Sequence, residues 1–190
     1  QPVPYPVHIK GAVRIALDVP GVQQVANAVC AAAAAVALGL GLDAIRDGLE
    51  SLAPVSGRMQ RRVGARGCVL IDDSYNANPG SVRAAIDSLA TFGGTRVLAL
   101  GNMAELGEQS RELHREVGAH ARARGIDRLL ACGPHADAVA EGFGPGATAL
   151  GSREAVAAAC REFDRAGSVI LVKGSRSAGM EAVVAALVEA

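Results

Sequence analysis

Cys68-Val69-Leu70-Ile71-Asp72-Asp73-Ser74-Tyr75-Asn76-Ala77-Asn78-Pro79 sets the fold of the chain. Its first four residues are apolar without alternation, as in a strand buried on both faces. Asn78 and Pro79 then supply an N-cap and a first helical residue, since an Asn side chain accepts a free helix N–H and proline has none to leave unpaired. Val82, Ile86 and Leu89 follow at helical spacing and give that helix one apolar face.

The unit recurs downstream. A strand over 96–100 precedes a helix over 110–124 with Leu113, Val117 and Ala121 inward, and a strand over 128–132 precedes a short helix opened by Pro134. A strand over 148–150 leads to a helix capped by Ser152 that buries Val156 and Phe163. A strand over 169–172 leads to one capped by Ser177 with Met180, Val183, Val184 and Leu187. Five alternations of strand and helix predict an α/β fold, a doubly wound, mostly parallel, Rossmann-like sheet.

Upstream, Val3, Tyr5, Val7 and Ile9 alternate and 12–17 is a second short apolar stretch. A helix over 24–38 stops at Gly39, and Leu42, Ile45, Leu49 and Leu52 mark another, with Asp43 in its first turn where an acid suits the helix dipole. The two strands over 1–20 are too little to fold alone, and with the two helices they make a piece without a sheet of its own. They predict the tail of a larger domain over 1–55, a linker at Pro54-Val55-Ser56-Gly57, and the α/β domain over 56–190, in a chain that begins mid-protein.

The 190 residues are 50% apolar and 20% charged with formal net charge zero, enough for a packed core and without the basic excess that holds nucleic acid or an anionic membrane. Aromatics are 3% with no Trp, which argues against base-stacking surfaces. Cys30, Cys68, Cys132 and Cys160 stand singly among apolar neighbours, as buried reduced thiols of a cytoplasmic protein do, and no metal site is expected. The longest apolar run, 29–40, is too short to span a bilayer, and no leader is read at Gln1. The seventeen arginines against two lysines carry no functional weight.

In doubly wound sheets ligands sit beyond the carboxyl ends of the strands. There the chain places Asp72 to Asn78, Gly101-Asn102-Met103-Ala104-Glu105-Leu106-Gly107, Gly133-Pro134-His135, Gly151-Ser152 and Lys173-Gly174-Ser175-Arg176-Ser177. Asp72 and Asp73 can accept from a ribose or hold Mg²⁺, Tyr75 offers a flat face, and Asn76 can pair with an adenine edge. The same residues also suit a plain turn, because Asp and Asn bond nearby backbone and cap helices. Arg58 has a guanidinium fit for a phosphate or acyl phosphate, and Lys173 to Ser177 brings two cations and two hydroxyls for a phosphate or carboxylate. A solvated linker arginine and a capped turn are the alternatives. Glu105 and His114 are candidates for acid or base, or surface and packing residues. Lys10 and Lys173 are both followed by Gly, so no Gly-Lys-Ser/Thr phosphate loop occurs, and any triphosphate cradle lies outside this chain.

Asp-Asp-Ser-Tyr-Asn-Ala-Asn-Pro at 72–79, Gly-Asn-Met-Ala-Glu-Leu-Gly at 101–107 with His114, Gly-Ile-Asp-Arg at 125–128 and Val-Lys-Gly-Ser-Arg-Ser-Ala-Gly-Met-Glu at 172–181 closely resemble the Mur ligases. Within that family the likeness, running in order from about Pro20 to the C-terminus, is to the branch that adds D-alanyl-D-alanine to UDP-N-acetylmuramoyl-tripeptide. The resemblance implies the end of a central ATPase domain followed by a complete C-terminal ligase domain. It also implies ATP with Mg²⁺, an acyl-phosphate intermediate attacked by the dipeptide amine, and a cytoplasmic monomer in peptidoglycan synthesis without nucleic acid or membrane partners.

By resemblance Asn27, Arg58, Asp73, Tyr75, Asn76 and Asn78 contact the nucleotide, Lys173, Ser175 and Arg176 face the dipeptide, and Arg58 and Lys173 are the catalytic pair. Closure onto the ATPase domain would exclude water, and this chain alone is expected to be inactive. Two departures stand out: Gly21-Val22-Gln23-Gln24 replaces Gly-Arg-His-Asn, and Asn102 replaces an Asp, so Asn102 takes no metal role. Another amino acid ligase of the same superfamily, and a non-catalytic α/β module binding a nucleotide or partner, are the alternatives.

Overall fold

The structure, a computed structural model, describes residues 5–9, 13–17, 22–52 and 55–189. Val3, Lys10, Pro20, Gly21 and Pro54, on which parts of the sequence reading rest, lie outside the described residues. The chain forms two compact units, Gln1–Val55 and Ser56–Ala190.

In the first unit β1 (Tyr5–Ile9) and β2 (Val13–Leu17) pair antiparallel, with Tyr5 opposite Leu17 and Ile9 opposite Val13. The expectation of strands without a sheet of their own is thereby corrected, since β1 and β2 pair with each other as a two-stranded sheet. Helices α1 (Val22–Ala37) and α2 (Leu42–Glu50) follow. Ile15 and Leu17 pack with Ala28 into a small core, and Glu50 accepts the Ala16 N–H at 2.9 Å. Cys30 is exposed on α1, unlike the buried thiol expected, whereas Cys68, Cys132 and Cys160 are buried.

The second unit runs β3 (Gln60–Val63), β4 (Val69–Asp73), α3 (Pro79–Leu89), β5 (Thr95–Leu100), α4 (Ser110–Ala123), β6 (Arg128–Cys132), α5 (Ala136–Phe143), β7 (Ala147–Leu150), α6 (Arg153–Cys160), β8 (Ser168–Lys173) and α7 (Glu181–Val188). The sheet order is β3-β4-β8-β5-β6-β7, with β3 antiparallel to β4 and the other pairs parallel. Alternate strand residues feed opposite cores. Ile71, Leu98, Leu100, Leu129 and Leu171 pack under α3, α4 and α5, while Leu70, Val97, Ala99, Leu130 and Ile170 pack under α6 and α7. All six residues of β8 are buried, as a central strand covered on both faces requires.

The sequence reading missed β3. Gln60-Arg61-Arg62-Val63 has no apolar run, and it exists as a strand because its backbone completes the ladder of β4 at the sheet edge, where charged residues are favoured. Two helix starts also differ. Pro134 forms a turn ahead of α5, in which the Ala136 N–H bonds the Gly133 carbonyl. Ser177 lies inside a 3₁₀ turn, Arg176–Ala178, and left-handed Gly179 separates that turn from α7. Phe163 lies beyond the end of α6, half-buried against the second core. Asn78 does cap α3, accepting the Ser81 N–H at 2.8 Å while Ser81 Oγ accepts the Asn78 N–H.

Helices α4 and α5 touch backbone to backbone at Gly118, where an added Cβ would lie 2.0 Å from the Val139 carbonyl oxygen. Gly118→Ala should therefore destabilise the second unit by about 1–3 kcal/mol, even though alanine favours an isolated helix by about 1 kcal/mol. Urea unfolding checks this, and a midpoint equal to or above wild type would contradict the packing described.

Candidate functional site

The tips of β4 and β8 lie side by side, with Asp73 in register with Lys173. Lys173 Nζ donates to Asp73 Oδ2 at 2.5 Å and to the Asn76 carbonyl at 2.8 Å, and its side chain is only 3% exposed. Asp73 Oδ1 accepts the Met59 N–H at 3.1 Å. Burial pushes the Asp73 carboxyl above the usual carboxylate range, against the pull of the Lys173 charge and the Met59 N–H. Asp72 serves the turn, its Oδ1 accepting both the N–H and, at 2.6 Å, the hydroxyl of Ser74.

Above this pair sits an exposed cationic rim. The Tyr75 N–H bonds the Gly57 carbonyl at 3.0 Å, which brings the 57–59 turn against the loop. Met59 is buried with φ of 51°, a left-handed backbone that a non-glycine residue holds only where its surroundings impose it. Here the bond to Asp73 and burial in the first core impose it. The turn carries the Arg58 guanidinium over the Tyr75 ring, 4.3 Å from its centroid, and Arg176 approaches the same ring at 5.9 Å. Two guanidiniums against one exposed aromatic ring form a cation–π cluster, and Arg176 Nη1 also pairs with Glu181 Oε1 at 3.5 Å.

Of the residues singled out in the sequence, Arg58, Asp73, Tyr75, Asn76, Lys173 and Arg176 converge here. Asn76 is exposed, and its Oδ1 accepts the Ala77 N–H. Asn78 is spent on capping α3, so the helix-cap reading accounts for it. Ser175 is buried behind the rim, its N–H on the Asn102 carbonyl and its hydroxyl 3.2 Å from that of Ser177. Lys173 is enclosed rather than projecting, with two of its three donors used within the chain. Asn27 lies on the exposed side of α1 in the first unit. Among the described residues no three His, Cys, Asp or Glu side chains are grouped as metal ligands, and no helix is long and apolar enough to cross a membrane.

His114 supports the neighbouring loop. It is 1% exposed, and its Nε2 accepts the Met103 N–H at 3.0 Å while Nδ1 donates to the Ser110 carbonyl at 2.7 Å. Both nitrogens are therefore engaged by backbone, which makes it a strut of the 101–107 loop and not an acid or base. Glu105 is exposed on that loop with φ of 63°. The arginine–tyrosine cluster was missed as a unit because Arg58 and Arg176 are 118 positions apart and meet only through the order of the strands.

The family model described as "Mur ligase, glutamate ligase domain" matches residues 57–176. The UDP-N-acetylmuramoyl-tripeptide–D-alanyl-D-alanine ligase of Escherichia coli K12 is 45% identical over 184 residues, covering 94% of this chain and 40% of the relative. The enzyme of the same name from Mycobacterium leprae is 37% identical, covering 94% and 39%. A crystal structure of MurF from Acinetobacter baumannii superposes with a TM-score of 0.87 at 32% identity, over 98% of this chain and 42% of that one. MurF from Thermotoga maritima in complex with ADP gives 0.81 at 26% identity, over 93% and 40%. The chain thus spans about two fifths of the length of the curated relatives it matches.

Burial of His114 lowers its pKa, with His135 adding to the effect and the Ser110 bond opposing it. The folded protein resists the imidazolium proton that the unfolded chain accepts near pH 6.5. Stability owed to His114 is therefore present above that pH and lost as pH falls. The urea midpoint should drop between about pH 7.5 and about 5.5, and the drop should be smaller in His114→Gln. Equal slopes in the two proteins would contradict the buried neutral imidazole.

Proposed function

The chain belongs to the Mur ligase family, and on that premise we propose that it is the C-terminal part of an ATP-dependent ligase joining D-alanyl-D-alanine to UDP-N-acetylmuramoyl-tripeptide in the cytoplasm. The observation that carries the reading is the Arg58–Tyr75–Arg176 cluster standing over the Asp73–Lys173 pair at the strand tips. Residues 1–55 are taken as the end of the central ATPase domain and 56–190 as the ligase C-terminal domain. The ligases similar in sequence carry this substrate pair in their names.

A nucleotide fits the rim on chemical grounds. Tyr75 offers an exposed ring, and the two guanidiniums are forks matched to phosphate oxygens. Asp73 is held by the Met59 N–H and Lys173 at the position assigned to the ribose. The carboxylates of Asp72 and Asp73 are both engaged by partners within the chain. ATP, when bound, supplies the phosphoryl group that activates the tripeptide carboxylate for amide formation. Arg58 neutralises charge that builds on the transferred group, which is where a preorganised cation lowers a barrier. Lys173 keeps the Asp73 loop in register, and Arg176 approaches the Tyr75 ring with Arg58. Asn27 is assigned to the nucleotide on the family resemblance alone. Because no phosphate-binding loop occurs in these 190 residues, the chain alone should turn over ATP far below the rate of about one per second usual for enzymes.

The test uses the complete ligase, following phosphate release with UDP-N-acetylmuramoyl-tripeptide and D-alanyl-D-alanine against D-glutamate, diaminopimelate and L-glutamate. D-alanyl-D-alanine should be the amine consumed. Arg58→Ala, an exposed position, should lower ligation by roughly 10²-fold without changing the unfolding transition. Preference for a single amino acid would sink the assignment, and wild-type rates in Arg58→Ala would remove Arg58 from it.

A further inference from the structure

Next to the loop that follows β5, two imidazoles meet. His114, in the first turns of α4, and His135, at the N-cap of α5, have ring centroids 4.9 Å apart and ring planes tilted by 48°. Neither has a part in the proposed reaction. His114 is 1% exposed, and its nitrogens face backbone groups of fixed polarity: the Met103 N–H at 3.0 Å can only donate, and the Ser110 carbonyl at 2.7 Å can only accept. One form of the ring satisfies both, the neutral tautomer with its proton on Nδ1. A second proton would have to sit on Nε2, facing the Met103 N–H, and would turn that hydrogen bond into a contact between two donors.

The bond at stake holds a strained loop. Glu105, just beyond Met103, has φ of 63°, a left-handed backbone that a non-glycine residue keeps only while its surroundings over-determine it. On its other side the loop is stitched to the end of β8: the Gly101 N–H bonds the Lys173 carbonyl at 2.8 Å, and the Ser175 N–H bonds the Asn102 carbonyl at 2.9 Å. The two segments are packed without slack, since a Cβ added to Gly101 or Gly174 would come within 2.7 or 2.6 Å of the Met180 side chain. Lys173 carries the ion pair to Asp73, and Arg176, next after Ser175, reaches the Tyr75 ring. A continuous run of bonds thus leads from His114 through Met103, Asn102 and Ser175 to the cationic rim.

The other charges around α4 are occupied or exposed. Arg111 pairs with Asp137 and Glu141 of α5, while Glu116, His120 and, at the helix end, Arg124 pair with Arg83 and Asp87 of α3. Glu105 and Glu108 stand exposed on the loop, which leaves His135 as the ionisable group against the His114 ring. Burial disfavours a charge on His114, and a charge on His135 adds to that, against the Ser110 bond. We propose that His114 is a positioning residue that makes assembly of the rim depend on its own protonation: the neutral ring holds Met103 and the β8 tip in place, and proton uptake in mild acid unhooks Met103, relaxes the strained loop and loosens Lys173 and Arg176. His135 delays that uptake by resisting the second charge. The effect on turnover rests on the ligase reading above, whereas the strut itself does not.

Two measurements test it. In the wild-type chain, hydrogen-exchange protection of the Met103 and Ser175 amides, corrected for the intrinsic rate, should fall by about tenfold between about pH 7.5 and about 5.5, because the unhooked ring takes its proton near pH 6.5 and the buried one does not. Amides between β5 and β6 should keep their protection. In the complete ligase, initial rates with UDP-N-acetylmuramoyl-tripeptide and D-alanyl-D-alanine are taken as ratios to wild type at each pH, which cancels titration of the substrate amine. The ratio for His114→Gln, whose side-chain oxygen can accept the Met103 N–H at every pH, should climb as pH falls, by up to about tenfold per unit. The ratio for His135→Gln should drop over the same range, since His114 then takes its proton at higher pH. Protection at Met103 and Ser175 that ignores pH overturns the proton-sensitive strut. Protection that responds while both rate ratios stay flat overturns its hold on the site. A wild type that consumes no D-alanyl-D-alanine overturns the ligase reading, and with it the effect on turnover, while the amide protection still decides the strut.

Discussion

Lys173 and Asp73 meet where β8 and β4 end in register, and the geometry of the site follows from that contact. Drawing two charges out of water is costly unless each keeps its hydrogen bonds. Both do, because Asp73 also accepts the Met59 N–H and Lys173 also donates to the Asn76 carbonyl. One ion pair therefore fixes the turn before β3 and the loop after β4 together. Removal of either partner would leave a buried charge uncompensated, a loss of about 3–5 kcal/mol, and would release the turn that carries Arg58.

The strand order makes the pair possible. β8 is last in sequence yet lies between β4 and β5, buried along its whole length, so residues 100 positions apart become neighbours. The same order gives the tips two faces of different chemistry. At β4 and β8 an aromatic ring lies against two guanidiniums. Between the ends of β5, β6, β7 and β8, where α5 and α6 leave for opposite sides, a cleft opens with Arg153 at one end and, at the other, Asn102 Oδ1, which has no hydrogen-bond partner among the described residues. Ser175, bonded to the Asn102 carbonyl and close to Ser177, lies between these regions.

Much of this was legible in the residues, because apolar runs buried on both faces and helices opened by Asn78 or Ser152 carry their own signals. The six-stranded sheet exceeds the reading by β3, which the ladder of β4 stabilises without apolar residues of its own. Ser177 resembled a cap but lies in a 3₁₀ turn, since left-handed Gly179 delays α7. His114 was readable as a candidate acid or base, and its role as a strut for Met103 depends on burial that no local pattern encodes.

Amide hydrogen exchange on the chain with Lys173→Met tests most directly whether the buried ion pair organises the site. Protection of the Met59 and Tyr75 amides, which bond Asp73 and the Gly57 carbonyl, should be lost while the amides between β5 and β6 keep wild-type protection. Unchanged protection at Met59 and Tyr75 in a folded variant would show that the loop holds its shape without the lysine, contrary to this account.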